Sequence, residues 1–171
     1  IRDITTGGIA VKAAQTGHMV MSTLHTNDGP QTLTRLQDMG VQSFAVATSI
    51  NLITAQRLLR RLNPDNRVEI EMPDDALKKE DFPEEMIKEG IHLYGPGEET
   101  EDNPGYKGRA GIYQVMPISD DMKRLIIEEA NAVVLADQAA KEGIWDIRRS
   151  GLQKVADGIT SLAEVNRVTV E

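Results

Sequence analysis

The chain contains no cysteine. Disulfides and thiolate-bound metal centres are therefore excluded, and a cytosolic location is favoured. It also has no apolar run near the ~20 residues that a membrane-spanning helix needs. No basic-then-apolar leader opens it; the first residues are Ile1-Arg2-Asp3, with no initiator Met. The expectation is a fragment that starts inside a larger protein. There is no G-x-x-x-x-G-K-[S/T] loop, so a phosphate cradle of that type is missing. There is no G-x-S-x-G elbow either, which removes that route to a nucleophilic serine.

What is present is an ordinary globular composition, 40% hydrophobic and 27% charged over 171 residues. That length holds one medium domain or two small ones. The net charge of −8 is concentrated in one place. Between Asn63 and Gly105 there are 14 acidic residues against 4 basic ones, whereas the remainder carries 13 against 15. The middle segment would repel nucleic-acid phosphates, and the flanks carry no basic, aromatic-lined stripe. The same segment holds five of the seven prolines. It reads as a loop-rich insertion with short helices near Asp74–Lys79 and Glu84–Glu89.

On either side the pattern is more regular. Ile9, Ala10, Ala13 and Ala14 recur at helical spacing between Thr5 and Thr16, and Gly17 suits a helix stop. His18 to His25 is short and apolar and predicts a buried strand. Thr26-Asn27-Asp28 offers caps for a helix that has Pro30 in its first turn and ends at Gly40. Ser43 to Leu62 predicts helix, in one piece or two, and Arg109 to Val115 a strand. Helices then follow, one from a Ser119 cap to Glu128, one from an Asn131 cap to Gly143, and one over Ile144–Ala156. A last short helix begins at Ser161, where Ser161-Leu162-Ala163-Glu164 matches a capping box.

Two histidines frame the predicted strand. Seven residues at ~3.3 Å each separate them by roughly 23 Å. Both cannot reach one phosphate unless that segment bends. His25 falls at the carboxyl end of the strand, where ligands sit in open α/β sheets. A helix N-terminus, which favours anions, follows it. An imidazole there can donate a hydrogen bond to a terminal phosphate and report its loss. The bland alternative for both histidines is a surface or capping role beside a turn. Arg57 and Arg61 would share a helix face and could reach a nucleotide or a neighbouring subunit. Arg60 lies within the same two turns. Their bland alternative is a solvated basic helix end.

The ordered stretches go further than spacing. Ile1-Arg2-Asp3, Ile9 through His18, and Ser22-Thr23-Leu24-His25-Thr26-Asn27-Asp28 resemble the region after the Walker B motif in secretion ATPases, the hexameric motors of type II secretion and type IV pili. The resemblance continues through Arg35–Val41, Ala55-Gln56-Arg57-Leu58, Gly105–Tyr113 and Asp146–Leu152, and ends in Gly158–Val165. It covers nearly the whole chain. The run Gly105 to Ile118 is most similar to pilus assembly members, and the long insertion is unlike retraction motors.

The resemblance implies an α/β fold. Residues 1–62 would be the C-terminal part of a RecA-like ATPase core, 63–108 the acidic insertion, and 109–171 a strand and small helical bundle. It makes His25 and His18 part of a His box facing nucleotide, and Arg2 the arginine after the Walker B glutamate. It makes Arg57 and Thr23 nucleotide contacts. It implies ATP and Mg in the intact protein, whose phosphate-binding lysine and catalytic glutamate lie outside this chain, so that the fragment alone is inactive. It further implies a homohexamer and an inner-membrane platform protein as partners. The location would be the cytoplasmic face of that membrane, with peripheral association only. Type II secretion, or a non-catalytic docking module, are the alternative roles.

The sequence also departs from the family. Thr5 stands where members carry an acid and Gly7 where they carry Ala. The insertion of pilus assembly and type II secretion members holds zinc with two C-x-x-C pairs. Here Asn63 and Asn66 occupy the first pair, and Glu98 and Glu101 fall near the second. Asn and Glu are poor tetrahedral zinc ligands, so no zinc is expected.

Overall fold

The structure is a computed structural model, and it describes residues 1–169. Among the described residues no helix is long and apolar enough to cross a membrane. The chain divides into two compact units, residues 1–55 with 114–145, and residues 56–113 with 146 onward.

The first unit is mostly helical. Its first helix, α1, spans Ile4–Gln15 and is capped by Asp3, whose carboxylate accepts from the Thr6 amide. It stops where Gly17, at φ +92°, and His18 return their amides to Ala14 and Ala13. This left-handed glycine closure satisfies carbonyls that the helix leaves open. Helix α2 spans Gly29–Asp38 with Asp28 as its cap and Pro30 in its first turn, and α3 spans Ser43–Ser49.

Two expectations fail in this unit. No strand forms over 18–25; the stretch is irregular, and Met19 and Met21 are 91% and 89% exposed. A strand exists only through a neighbour that takes its N–H and C=O groups, and none of the described strands pairs with this stretch. The predicted second helical piece is instead β1, Leu52–Leu62. Ile53, Ala55 and Leu59 are buried while Leu52, Thr54, Leu58 and Arg60 are exposed. That alternation is the period of a strand. Ile50 and Ile53 stand three residues apart and Leu58 and Leu62 four, which is helical spacing, so sequence periodicity alone did not separate the two.

Strand β1 pairs with a later strand, β4, over Tyr106–Pro117. The unit boundary falls within both strands. After β4 come α6, Asp120–Ile127, and α7, Ala132–Lys141, capped by Ser119 and Asn131 as their sequences predict. The core of the first unit gathers Leu33 and Leu36 of α2, Val46 and Ala47 of α3, Met116 of β4, Met122 and Ile126 of α6, and Leu135 of α7. Burying each large side chain contributes roughly 1.5–3 kcal/mol.

The second unit contains the acidic segment. A short 3₁₀ turn, Pro64–Asn66, leads into β2, Arg67–Ile70, which pairs antiparallel with β3, Leu93–Pro96. Between them lie α4, Asp74–Lys79, and α5, Glu84–Glu89, at the predicted positions. Leu77, Phe82 and Leu93 are buried. Helix α8 spans Ile147–Ala156 and α9 spans Leu162–Thr169. Helix α8 starts later than predicted because Gly143 closes α7 and Asp146 caps the new start, accepting from the Arg149 amide. A Cβ on Gly151 would lie 2.8 Å from Val165 Cγ1, so glycine lets α8 and α9 approach closely.

Candidate functional site

In the first unit the predicted site residues surround the segment before α2. The Ile1 nitrogen donates to the Thr23 carbonyl at 2.8 Å, which ties the start of the chain to this segment. Arg2, Thr23 and His25 are all exposed. His18 sits at the glycine closure of α1 with its Nδ1 3.1 Å from Thr16 Oγ1. It therefore has a local partner within its own turn, whereas His25 stands next to the start of α2.

That helix start is already occupied by the protein's own acceptors. The Gly29 amide donates to Gln114 Oε1 at 2.8 Å and the Gln31 amide to Asp28 Oδ1 at 2.7 Å. Pro30 has no N–H. The Thr32 amide closes onto Asp28 O, and Thr32 Oγ1 donates to the same carbonyl. The first turn thus presents no free amide to a ligand. What remains for an anion here is the field of the helix dipole and the His25 imidazole, with the Asp28 carboxylate opposing. Gln114, 4% exposed on β4, was not singled out by sequence reasoning. A lone Gln in a strand carries no signal that it will reach a helix start 85 residues away.

Arg57, the other nucleotide candidate, lies in the second unit, half-buried on β1. On the strand Arg57 and Arg61, four residues apart, still share a face but stand roughly 13 Å apart along it, and Arg60 points to the other side.

The dominant polar cluster of the second unit centres on Glu164, 1% exposed. Its carboxylate accepts from the Arg60 amide at 2.8 Å, from Arg60 Nε and Nη2 at 3.1 and 2.8 Å, and from Arg167 Nε and Nη2 at 2.9 and 2.6 Å. Burial alone would raise its pKa. The bonds from Arg167 and Arg60 outweigh burial and hold the carboxyl at about 2. The Arg60 guanidinium lies 4.2 Å from the Tyr106 ring centre, and the Tyr106 hydroxyl is 2.7 Å from Ser161 Oγ. The capping box is therefore used on one side only. The Glu164 amide donates to Ser161 Oγ at 3.2 Å, but the Glu164 carboxylate serves arginines.

The insertion is closed by amides at the positions where the resemblance expects cysteines. Asn63 Nδ2 donates to Asn103 Oδ1 and Pro104 O, both at 2.9 Å. Asn66 Nδ2 donates to Glu98 O and Asn103 O, both at 2.8 Å. Main-chain bonds from Asn63 N to Gly105 O and from Gly97 N to Asn66 O add to the closure. Among the described residues no three His, Cys, Asp or Glu side chains gather as a metal-ion cluster.

Residues 1–167 match the Type II/IV secretion system protein family, and the chain belongs to it. Among its relatives is the Type IV pilus assembly ATPase PilB of Pseudomonas aeruginosa, 54% identical over 99% of this chain and 30% of that protein. The protein of the same name from Acinetobacter baylyi is 49% identical over the whole chain and 30% of its own length. The Type II secretion system ATPase E of Vibrio cholerae is 41% identical over the whole chain and 33% of its length. This chain thus spans about a third or less of these relatives. Among solved structures, the pilus retraction motor PilT with bound ADP superposes with a TM-score of 0.66 at 18% identity, covering the whole chain and 38% of PilT. The Legionella pneumophila ATPase DotB gives 0.63 at 16% identity, over 98% of this chain and 36% of DotB. These two likenesses concern the fold, a mixed helix-and-sheet arrangement shared with ATPases.

Proposed function

We propose that this chain is part of a motor ATPase for type IV pilus assembly and forms the sensor side of its nucleotide site. The observation that carries the reading is the 54% identity to a pilus assembly ATPase across 99% of the chain, against 41% to a type II secretion ATPase. In this reading residues 1–62 complete a RecA-like core, 63–108 are its cysteine-less insertion, and 109–171 are its helical end. The intact protein acts as a homohexamer at the cytoplasmic face of the inner membrane, against a membrane platform protein.

The residues of this chain do not by themselves form a cradle for ATP and Mg. The first turn of α2 has no free amide, no acidic cluster suited to a metal is among the described residues, and the phosphate-loop motif is missing. The proposal assigns those parts to the remaining length that the relatives have. His25 then donates a hydrogen bond to the terminal phosphate and loses it on hydrolysis. Arg2 and Thr23 stand beside it, His18 adds to the same box, and Arg57 reaches toward nucleotide or a neighbouring subunit. The exposed apolar stretch Met19–Met21 becomes a sheet strand once a neighbour pairs with it. The insertion binds no zinc.

The test is ATP turnover by this chain alone and by the intact protein, with and without His25→Ala. The expected result is no turnover by the chain alone and a loss of at least about tenfold in the intact variant. Appreciable turnover by the chain alone would sink the assignment of essential parts to the remainder. Unchanged turnover in His25→Ala would remove His25 as the sensor. Complementation of pilus assembly, rather than secretion, by the intact gene decides between the two branches.

A further inference from the structure

One groove of the second unit, about 420 Å³, is lined by Leu58, Leu59, Arg60, Arg109 and Arg167. All three charged residues on it are arginines, in a chain whose net charge is −8. Two of them are held in place by Glu164, which engages two N–H groups on each. A guanidinium carries five N–H donors, so most of the donors on each remain unspent. Their side chains are 50% and 56% exposed. The Arg109 side chain is exposed and makes no hydrogen bond or ion pair with the described residues.

Here two guanidinia share one carboxylate and Arg109 lines the same groove, so three positive charges stand there against one negative. Two of the three are pre-positioned by the bonds to Glu164 and by Tyr106 under Arg60, so little side-chain freedom is lost when a ligand arrives. Guanidinium forks match the oxygens of a phosphate in geometry and charge. Leu58, 50% exposed, adds one apolar wall.

We infer that Arg60, Arg109 and Arg167 form a binding site for a dianionic phosphate group. The ligand is either free inorganic phosphate or the phosphate end of a small phosphomonoester. Arg109 is the residue that turns a structural ion pair into a site, because its charge has no other use in the fold.

The test is titration of the isotopically labelled full chain with inorganic phosphate and with glycerol 3-phosphate, at constant ionic strength maintained with chloride. NMR signals of Leu58 and of the Arg60, Arg109 and Arg167 Nε groups are followed. Saturable shifts confined to these residues are expected. Arg109→Ala, which removes no side-chain hydrogen bond or ion pair of the described residues, is expected to weaken binding about tenfold. Arg109→Lys keeps the charge without the fork and falls between the two. Tighter binding of the ester than of phosphate supports a phosphomonoester as ligand, and equal binding supports free phosphate. Shifts that do not saturate, or an Arg109→Ala titration that matches the unmodified chain, would overturn the site.

Discussion

The apolar stretch His18–His25 and the acidic insertion Asn63–Gly105 exchange the roles that their compositions suggest. The first has the composition of a buried strand, yet Met19 and Met21 are almost fully exposed and the stretch pairs with no described strand. The second has the composition of a loose loop. It contains a four-residue antiparallel ladder, two short helices, buried Leu77 and Phe82, and two asparagine amides that clip its ends together. Apolar composition does not bury a segment when nothing covers it. A polar segment orders when its donors and acceptors meet at short range.

The largest expected effect tests how firmly the second unit is held. Glu164→Ala strips a buried carboxylate from two guanidinia and one main-chain amide, and should lower stability by about 3–5 kcal/mol. Denaturant unfolding followed by circular dichroism measures this. A midpoint unchanged from the parent chain would mean that the cluster does not anchor the unit.

Acid titration of the same group comes next. The Glu164 pKa is lowered to about 2 from the usual 4.5. The unfolded chain therefore takes up this proton at a higher pH than the folded one. The contribution is fully present above about pH 4.5, is lost as pH falls toward 2, and amounts to ~3 kcal/mol. Comparing unfolding at pH 7 and pH 3 in Glu164→Gln and the parent isolates it, and an equal pH dependence in both would exclude Glu164 as its source.

Asn66→Ala leaves two carbonyls without their donor at the mouth of the insertion, where water can reach at least one of them, and should cost about 0.5–1.5 kcal/mol. Hydrogen exchange is the sharper readout. The Gly97 amide, bonded to Asn66 O, should exchange faster in the variant. Amides over 19–22 should be fast in both chains. Slow exchange there in the parent chain would break the contrast between the two regions.

The smallest effect belongs to Met21→Lys, with an expected change within about 0.5 kcal/mol in this chain because the side chain is already in water. The same substitution in the intact protein should cost several times more if a neighbouring strand covers Met21 there. Equal small effects in both settings would argue against that strand.

Local order was readable wherever a short signal decides the conformation. The caps at Ser119 and Asn131, the stop at Gly17, and both helices of the insertion follow from residue types that satisfy nearby main-chain groups. Strand β1 was not readable, because Ile50, Ile53, Leu58 and Leu62 carry helical spacing while Ile53, Ala55 and Leu59 carry strand spacing, and only burial selects between them. Of the candidate site, the segment around His25 was visible as an ordered motif. The use of the first amides of α2 by Gln114 and Asp28 was not, since one of those partners is distant in sequence. The capping box at Ser161 was half legible. Its short-range bond forms, while the Glu164 side chain is taken by Arg60, 104 residues away.

By itself the sequence determined the family, through ordered motifs over nearly the whole length, together with the positions of most helices and the confinement of acidity to one segment. These are properties of neighbours along the chain, so they survive without a third dimension. Only the tertiary structure decided that β1 is a strand, that asparagines clip the insertion, and that two arginines share one carboxylate. Those outcomes depend on which distant groups meet and on the water they exclude. Spacing along the chain does not encode either quantity.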